Sequence, residues 1–179
     1  SRVETAQVRP VVTTSTPNGL AGDHAGNVYY TDKTSLFKVE PGKNAVKVAD
    51  GMSLGFGLAV DDAENFYVAS LNATSGRIDL LRISVDGTKT VVADLGVTQA
   101  NGVQVNSKGE ILVGSPNKLL KVAQGKVSVV TTAGLPSPRS IAIDGKDNIY
   151  VQNEGDYVSW IKPDGSVYDI YSKSDEVEE

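Results

Sequence analysis

Four residues hold one place in four copies of a recurring phrase: Asn18, Phe56, Asn101 and Arg139. Each stands directly before the residue that opens the phrase, at Gly19, Gly57, Gly102 and Ser140. A guanidinium beside two amides can hold a carboxylate or phosphate through charge-assisted hydrogen bonds. Phe56, between Gly55 and Gly57, can serve as a ligand platform or plug a narrow channel. A second set of positions closes the second apolar run of each copy: Asp32, Ser70, Ser115 and Asn153. Asn18 and Asn101 are the candidate ligands for a metal, calcium or zinc, if one is bound. A hard divalent cation takes several oxygens, carboxylates among them. Two neutral amides and Asp32 are too few, and Arg139 would repel the ion, so no cofactor is expected. Structural roles compete at each position. Asn before Gly suits a tight turn, with its amide bonded to local backbone. Arg139 can pair with Asp32 or Glu154, and this reading is preferred.

Other chemistries find little material. His24 is the sole histidine, in a polar turn between Asp23 and Ala25. A lone histidine without a Gly-x-Ser-x-Gly elbow builds no acyl-transfer triad, and no glycine-rich phosphate loop leads from a strand into a helix. The chain has no cysteine, so disulfides and zinc–thiolate sites are excluded. Its net charge is −5 and its cations are scattered. Nucleic-acid binding needs clustered cations to neutralise phosphates, so it is not expected. No apolar run approaches bilayer-spanning length.

The elements that must position these residues follow from the period. The phrases open 38, 45 and 38 residues apart, at Gly19, Gly57, Gly102 and Ser140. Four positions on come Asp23, Asp61, Asn106 and Asp144; eight positions on come Asn27, Asn65, Glu110 and Asn148. An apolar run follows each, such as Phe66-Tyr67-Val68 or Ile149-Tyr150-Val151. Within the third copy Gly102-Val103-Gln104-Val105 alternates like a half-buried strand. Asn106-Ser107-Lys108-Gly109 is a turn cluster, and three more strand-like runs follow. Asp86-Gly87 and Asp164-Gly165 are hairpin signals between alternating runs. Each unit reads as a four-strand antiparallel meander of about 40 residues, the size of a β-propeller blade. Tyr29, Tyr67 and Tyr150 recur at one place and suit packing between blades. The recurrent Asp or Asn suits a scaffold role, accepting backbone N–H groups at the first turn.

The phrase resembles the NHL repeat and the related blades of SMP-30/gluconolactonase-like propellers. The matches include Asn18-Gly19-Leu20-Ala21 with Asp23 and Asn27, and Gly57-Leu58-Ala59-Val60-Asp61 with Asn65. Ser140-Ile141-Ala142-Ile143-Asp144 with Asn148 is another. The resemblance covers about residues 9–171. It implies a propeller, usually of six blades, where this chain has four. SMP-30-like members are metal-dependent lactonases or esterases, whose metal ligands stand at the place of Asn18 and Asn101, with a Glu from an early strand. Glu4 is the only early Glu here. NHL members mostly bind proteins or other ligands.

The chain therefore reads as an all-β propeller with blades at 19–56, 57–101, 102–139 and 140–171. Residues 1–18 would hold a leading strand, since Val11-Val12-Thr13-Thr14 resembles the outer strand Val129-Val130-Thr131-Thr132. Residues 172–179 form an acidic tail. Three endings are open: a closed four-bladed ring, which is preferred, a piece of a larger six-bladed ring, or a set of blades completed by another chain. Ser1 in place of an initiator Met points to a processed product, extracellular or periplasmic. Asn72-Ala73-Thr74 is the one glycosylation pattern. The expected function is non-catalytic capture of a protein or small-molecule ligand at the face carrying Asn18, Phe56, Asn101 and Arg139. Asp32, Asn153 and the loop at 70–77 lie nearby. The alternative is a metal-dependent lactonase.

Overall fold

The structure is a computed structural model and describes residues 17–53, 55–132, 134–155 and 157–172. The leading strand at 11–14, Glu4 and the tail beyond Ser172 lie outside these residues. Sixteen strands and no helix are present among them. Blade one comprises β1 (Gly19–Gly22), β2 (Val28–Thr31), β3 (Leu36–Val39) and β4 (Val46–Ala49). Blade two comprises β5 (Phe56–Val60), β6 (Phe66–Asn72), β7 (Arg77–Ile83) and β8 (Lys89–Asp94). Blade three comprises β9 (Asn101–Val105), β10 (Ile111–Ser115), β11 (Lys118–Ala123) and β12 (Lys126–Thr131). Blade four comprises β13 (Pro138–Ile143), β14 (Ile149–Asn153), β15 (Tyr157–Ile161) and β16 (Val167–Ser172). Ser172, assigned to the tail from sequence, ends β16.

Each sheet is an antiparallel meander in chain order, and the four are arranged as a β-propeller. The first strands lie innermost, β1 against β5, β5 against β9 and β9 against β13. Among the described residues β13 and β1 share no packing of that extent. Three apolar clusters fill the three junctions. Leu36, Leu58 and Phe66 join blades one and two. Ile78, Val103 and Val113 join two and three. Leu112, Ile141 and Ile161 join three and four. Alternation along each strand drives this, because one sheet cannot cover both of its faces.

Glycine opens the inner strands for a steric reason. Gly57 has φ +65° and Gly102 has φ +69°, the left-handed region that side chains disfavour. A Cβ on Gly57 would also lie 2.8 Å from the backbone nitrogen of Val103 in the next blade.

Candidate functional site

The recurrent Asp or Asn locks the first turn of each blade. Asp23 Oδ1 accepts the backbone N–H of Ala25 and of Asn27, each at 2.9 Å. Asp61 does the same with Ala63 and Asn65 at 3.0 and 2.8 Å. Asn106 does so with Lys108 and Glu110 at 3.0 and 2.9 Å, and Asp144 with Lys146 and Asn148 at 2.9 Å each. The scaffold role expected of these residues is what the geometry displays.

The second carboxylate oxygen is used as well. It accepts the side-chain amides of Asn27, Asn65 and Asn148, at 2.7, 2.9 and 2.9 Å. The phenols of Tyr29, Tyr67 and Tyr150 reach it at 2.8, 3.1 and 3.3 Å. The tyrosines thus have a polar task beside their packing, of which the Tyr29–Phe66 ring contact at 4.8 Å between blades one and two is the clearest case. Blade three exchanges the parts: Asn106 donates its amide to Glu110 at 2.8 Å, Lys121 pairs with Glu110 at 2.9 Å, and Leu112 replaces tyrosine. The Asn27 amide, with further hydrogen bonds from Tyr29 and the backbone, lowers the Asp23 carboxyl to about 2. Asn148 and local backbone lower Asp144, and Lys121 and Asn106 lower Glu110.

At the opposite end of the inner strands, the candidate residues have these places. Asn18 is exposed, and its backbone N–H donates to the Thr31 carbonyl at 2.8 Å. Phe56 is half-buried and packs on the cluster between blades two and three. Asn101 donates its amide to the Pro138 carbonyl at 3.1 Å, so it bonds to the next blade's backbone. Arg139 pairs with Glu154, and not with Asp32, at 2.6 Å, with side chains 58% and 61% exposed. Asp32 Oδ1 accepts the N–H groups of Thr34 and Ser35 at 2.8 and 2.7 Å. Asn153 is buried, and its amide donates to Ser159 Oγ at 3.0 Å. Its Oδ1 has no partner among the described residues. The second strands thus set polar atoms into the interior near their ends: Ser115 and Asn153 close β10 and β14, Ser70 lies two residues before the end of β6, and all three are buried. Ser70 is bonded to the Ser53 backbone, which closes the adjoining loop.

Of the predicted set, the geometry joins Asn101 to the start of β13, beside Arg139, and Arg139 to Glu154. It ties Asn18 and Asp32 to blade one and Asn153 to blade four. Among the described residues no three His, Cys, Asp or Glu side chains are grouped to hold a metal ion.

A basin at the other mouth was not anticipated. It is about 660 Å³, lined by the first hairpins of blades two to four together with His24 of blade one. Asp61, Asp62, Asp144 and Asp147 make it acidic. The signal was present, since the recurrent Asp sits in every first turn, but ring geometry is needed to see that these turns converge.

No protein-family model matches the chain, and no curated protein matches it in sequence. Solved β-propellers match it in fold. Virginiamycin B lyase from Staphylococcus aureus superposes with TM-score 0.69 at 10% identity, covering 92% of this chain and 57% of that one. Its catalytically inactive form, solved with quinupristin, gives 0.70 at 12%, covering 89% and 56%. A gluconolactonase from Xanthomonas campestris gives 0.71 at 16%, covering 87% and 62%. The chain spans less than two thirds of each of these structures. It is a four-bladed β-propeller whose structural neighbours include gluconolactonases and virginiamycin B lyase. No helix among the described residues is long and apolar enough to cross a membrane.

Proposed function

We propose that the protein is a binding module, NHL-like in its blades, which captures an anionic ligand at the mouth bearing Asn18, Phe56, Asn101 and Arg139. The ligand is a small carboxylate or an acidic protein segment, and the setting is extracellular or periplasmic. The observation that carries this reading is the Arg139–Glu154 pair. Both side chains are more than half exposed, and such pairs are worth ~0–1 kcal/mol. A ligand carboxylate can therefore take the guanidinium at little cost and gain a bidentate contact. Phe56 and Asn101 supply an apolar surface and an amide nearby. Asp32 and Asn153 support the strands beneath.

Calorimetric titration of the full chain with gluconate and with inorganic phosphate tests this. Arg139→Ala should weaken capture about tenfold, the scale of one charge-assisted contact. Affinity unchanged in both Arg139→Ala and Phe56→Ala excludes this face.

A second reading has a specific observation behind it. Asn18 and Asn101 precede the inner-strand glycines, the place that the SMP-30 resemblance gives to metal ligands, and gluconolactonases share the fold. A lactonase would need carboxylates beyond those described here, Glu4 among them. Calcium- or zinc-dependent hydrolysis of gluconolactone, lost in Asn101→Ala, would replace the binding reading with this one.

A further inference from the structure

The second-strand tyrosine leaves a trace where it is missing. Tyr29, Tyr67 and Tyr150 hold one place in three blades, and Leu112 holds it in blade three. Between blades one and two that place is filled. Tyr29 is fully buried, its ring lies 4.8 Å from that of Phe66, and its hydroxyl reaches Glu64 at 3.0 Å. Lys38 ties the junction by pairing with Glu64 across it at 3.2 Å. Between blades three and four each of these parts has changed. Leu112 stands at the place of Tyr29 and Ile149 at that of Phe66, and both are smaller. Asp147 stands at the place of Glu64 and takes the Ser107 N–H and hydroxyl. Lys121, at the place of Lys38, pairs with Glu110 of its own blade at 2.9 Å.

A cleft of about 100 Å³ lies at this junction. Its apolar lining comes from Leu112, Val130 and Ile149, and its cationic lining from Lys108, Lys121 and Lys162. The two carboxylates beside it are already engaged. Glu110 takes Lys121 and the Asn106 amide, and Asp147 takes both donors of Ser107. Lys108 and Lys162 form no ion pair within 4 Å among the described residues. The Lys162 ammonium lies over the rings of Trp160 and Tyr168, 4.9 and 4.5 Å from their centroids, an attraction that fixes this cation beside the cleft. Three ammonium groups against two engaged carboxylates leave a surplus of positive charge. Apolar walls with a few convergent polar groups are the general form of a small-ligand site.

We propose that this cleft between blades three and four binds a small aromatic carboxylate. The ring takes the place that a tyrosine ring fills between blades one and two, and the carboxylate meets the lysines. Shape selects the ring and charge selects the acid. The space is smaller than the ~150 Å³ of a cavity that encloses benzene whole, so the ring enters and the acid group stays at the solvent side. A bare inorganic anion would gain nothing from Leu112, Val130 and Ile149, and an amine would meet the surplus positive charge. The cleft adjoins the first turns of blades three and four, at the opposite end of the blades from Arg139. It therefore does not depend on the reading of the mouth.

Residue-resolved NMR of the full chain titrated with benzoate tests this, with benzyl alcohol as the uncharged comparison and inorganic phosphate as the ring-free one. Benzoate should give saturable shifts on the backbone amides of Leu112, Lys121 and Ile149, and both comparisons should bind about tenfold more weakly or not at all. Leu112→Tyr restores the residue of the other three blades. It should remove the benzoate shifts and keep or raise the melting temperature. Lys108→Ala should weaken benzoate binding about tenfold, the scale of one charge-assisted contact, and leave benzyl alcohol unaffected. Where Leu112→Tyr does not fold, Ile149→Phe fills the cleft from blade four and should remove the same shifts. Absence of benzoate shifts at these amides overturns the proposal, as do shifts that persist in a folded Leu112→Tyr or Ile149→Phe chain. Phosphate binding as tightly as benzoate overturns it by reducing the cleft to a lysine patch. Benzyl alcohol doing so overturns it by reducing the cleft to an apolar gap.

Discussion

At the residue scale, the first-turn Asp or Asn is the working part of each blade. At Asp23 and Asp144 the hydrogen bonds favour the ionised form, so the folded-state pKa lies below the unfolded value of about 4. For Asp23 the folded value is about 2. The stabilisation is fully present above the unfolded value and is lost as pH falls through the folded one. Stability should therefore decline between pH about 4 and about 2, and a urea series over that range should show a smaller decline in Asp23→Asn. Blade three offers a sharper test. Asn106→Asp alone sets two carboxylates at the 2.8 Å contact with Glu110. It should lower the melting temperature by about 2–4 °C, and adding Glu110→Asn should recover most of that loss. Thermal melts of the three variants form a double-mutant cycle. The Asp-to-backbone bonds were legible in the sequence, because short side chains before turns accept local N–H groups. The tyrosine hydroxyl contacts were not, since they depend on the facing geometry of two strands.

At the element scale, left-handed positions decide how blades meet. The fourth residue of each first turn has positive φ: Gly26, Glu64, Gly109 and Asp147. The two acids accept this unfavourable conformation, and each reaches the preceding blade. Glu64 lies 3.2 Å from the Lys38 ammonium and 3.0 Å from the Tyr29 hydroxyl. Asp147 accepts the Ser107 N–H and hydroxyl at 2.9 and 2.6 Å. Asp147→Gly relieves backbone strain but removes both bonds, so a net loss of stability in urea unfolding would show that the tie matters more. Glycine substitutions should sort by surroundings. Gly109→Ala meets open space at φ +73° and should cost about 1–2 kcal/mol for conformation alone. Gly57→Ala meets the Val103 backbone as well, and should cost clearly more in the same measurement. Strand order and hairpins were readable from the period and from the Asp-Gly turns. The partner of Asn101 was not, because the Pro138 carbonyl comes from another blade, 37 residues away.

At the scale of the whole molecule, blades were legible and the junctions were not. Periodicity reports which residues alternate, but not whether the first and last sheets meet. That Asn18, Phe56, Asn101 and Arg139 share one end of the inner strands was legible, because the four copies open at the same position. The engagement of the mouth residues with Pro138, Glu154 and Ser159 required coordinates.

The central functional claim is that ligand capture occurs at the mouth of Arg139 and not in the acidic basin opposite. Residue-resolved NMR of the full chain titrated with gluconate tests it most directly. The account predicts shifts gathered on the backbone amides of Asn18, Phe56, Asn101 and Arg139, and their loss in Arg139→Ala. Shifts gathered instead on Asp61, Ser107 and Asp144 would contradict it.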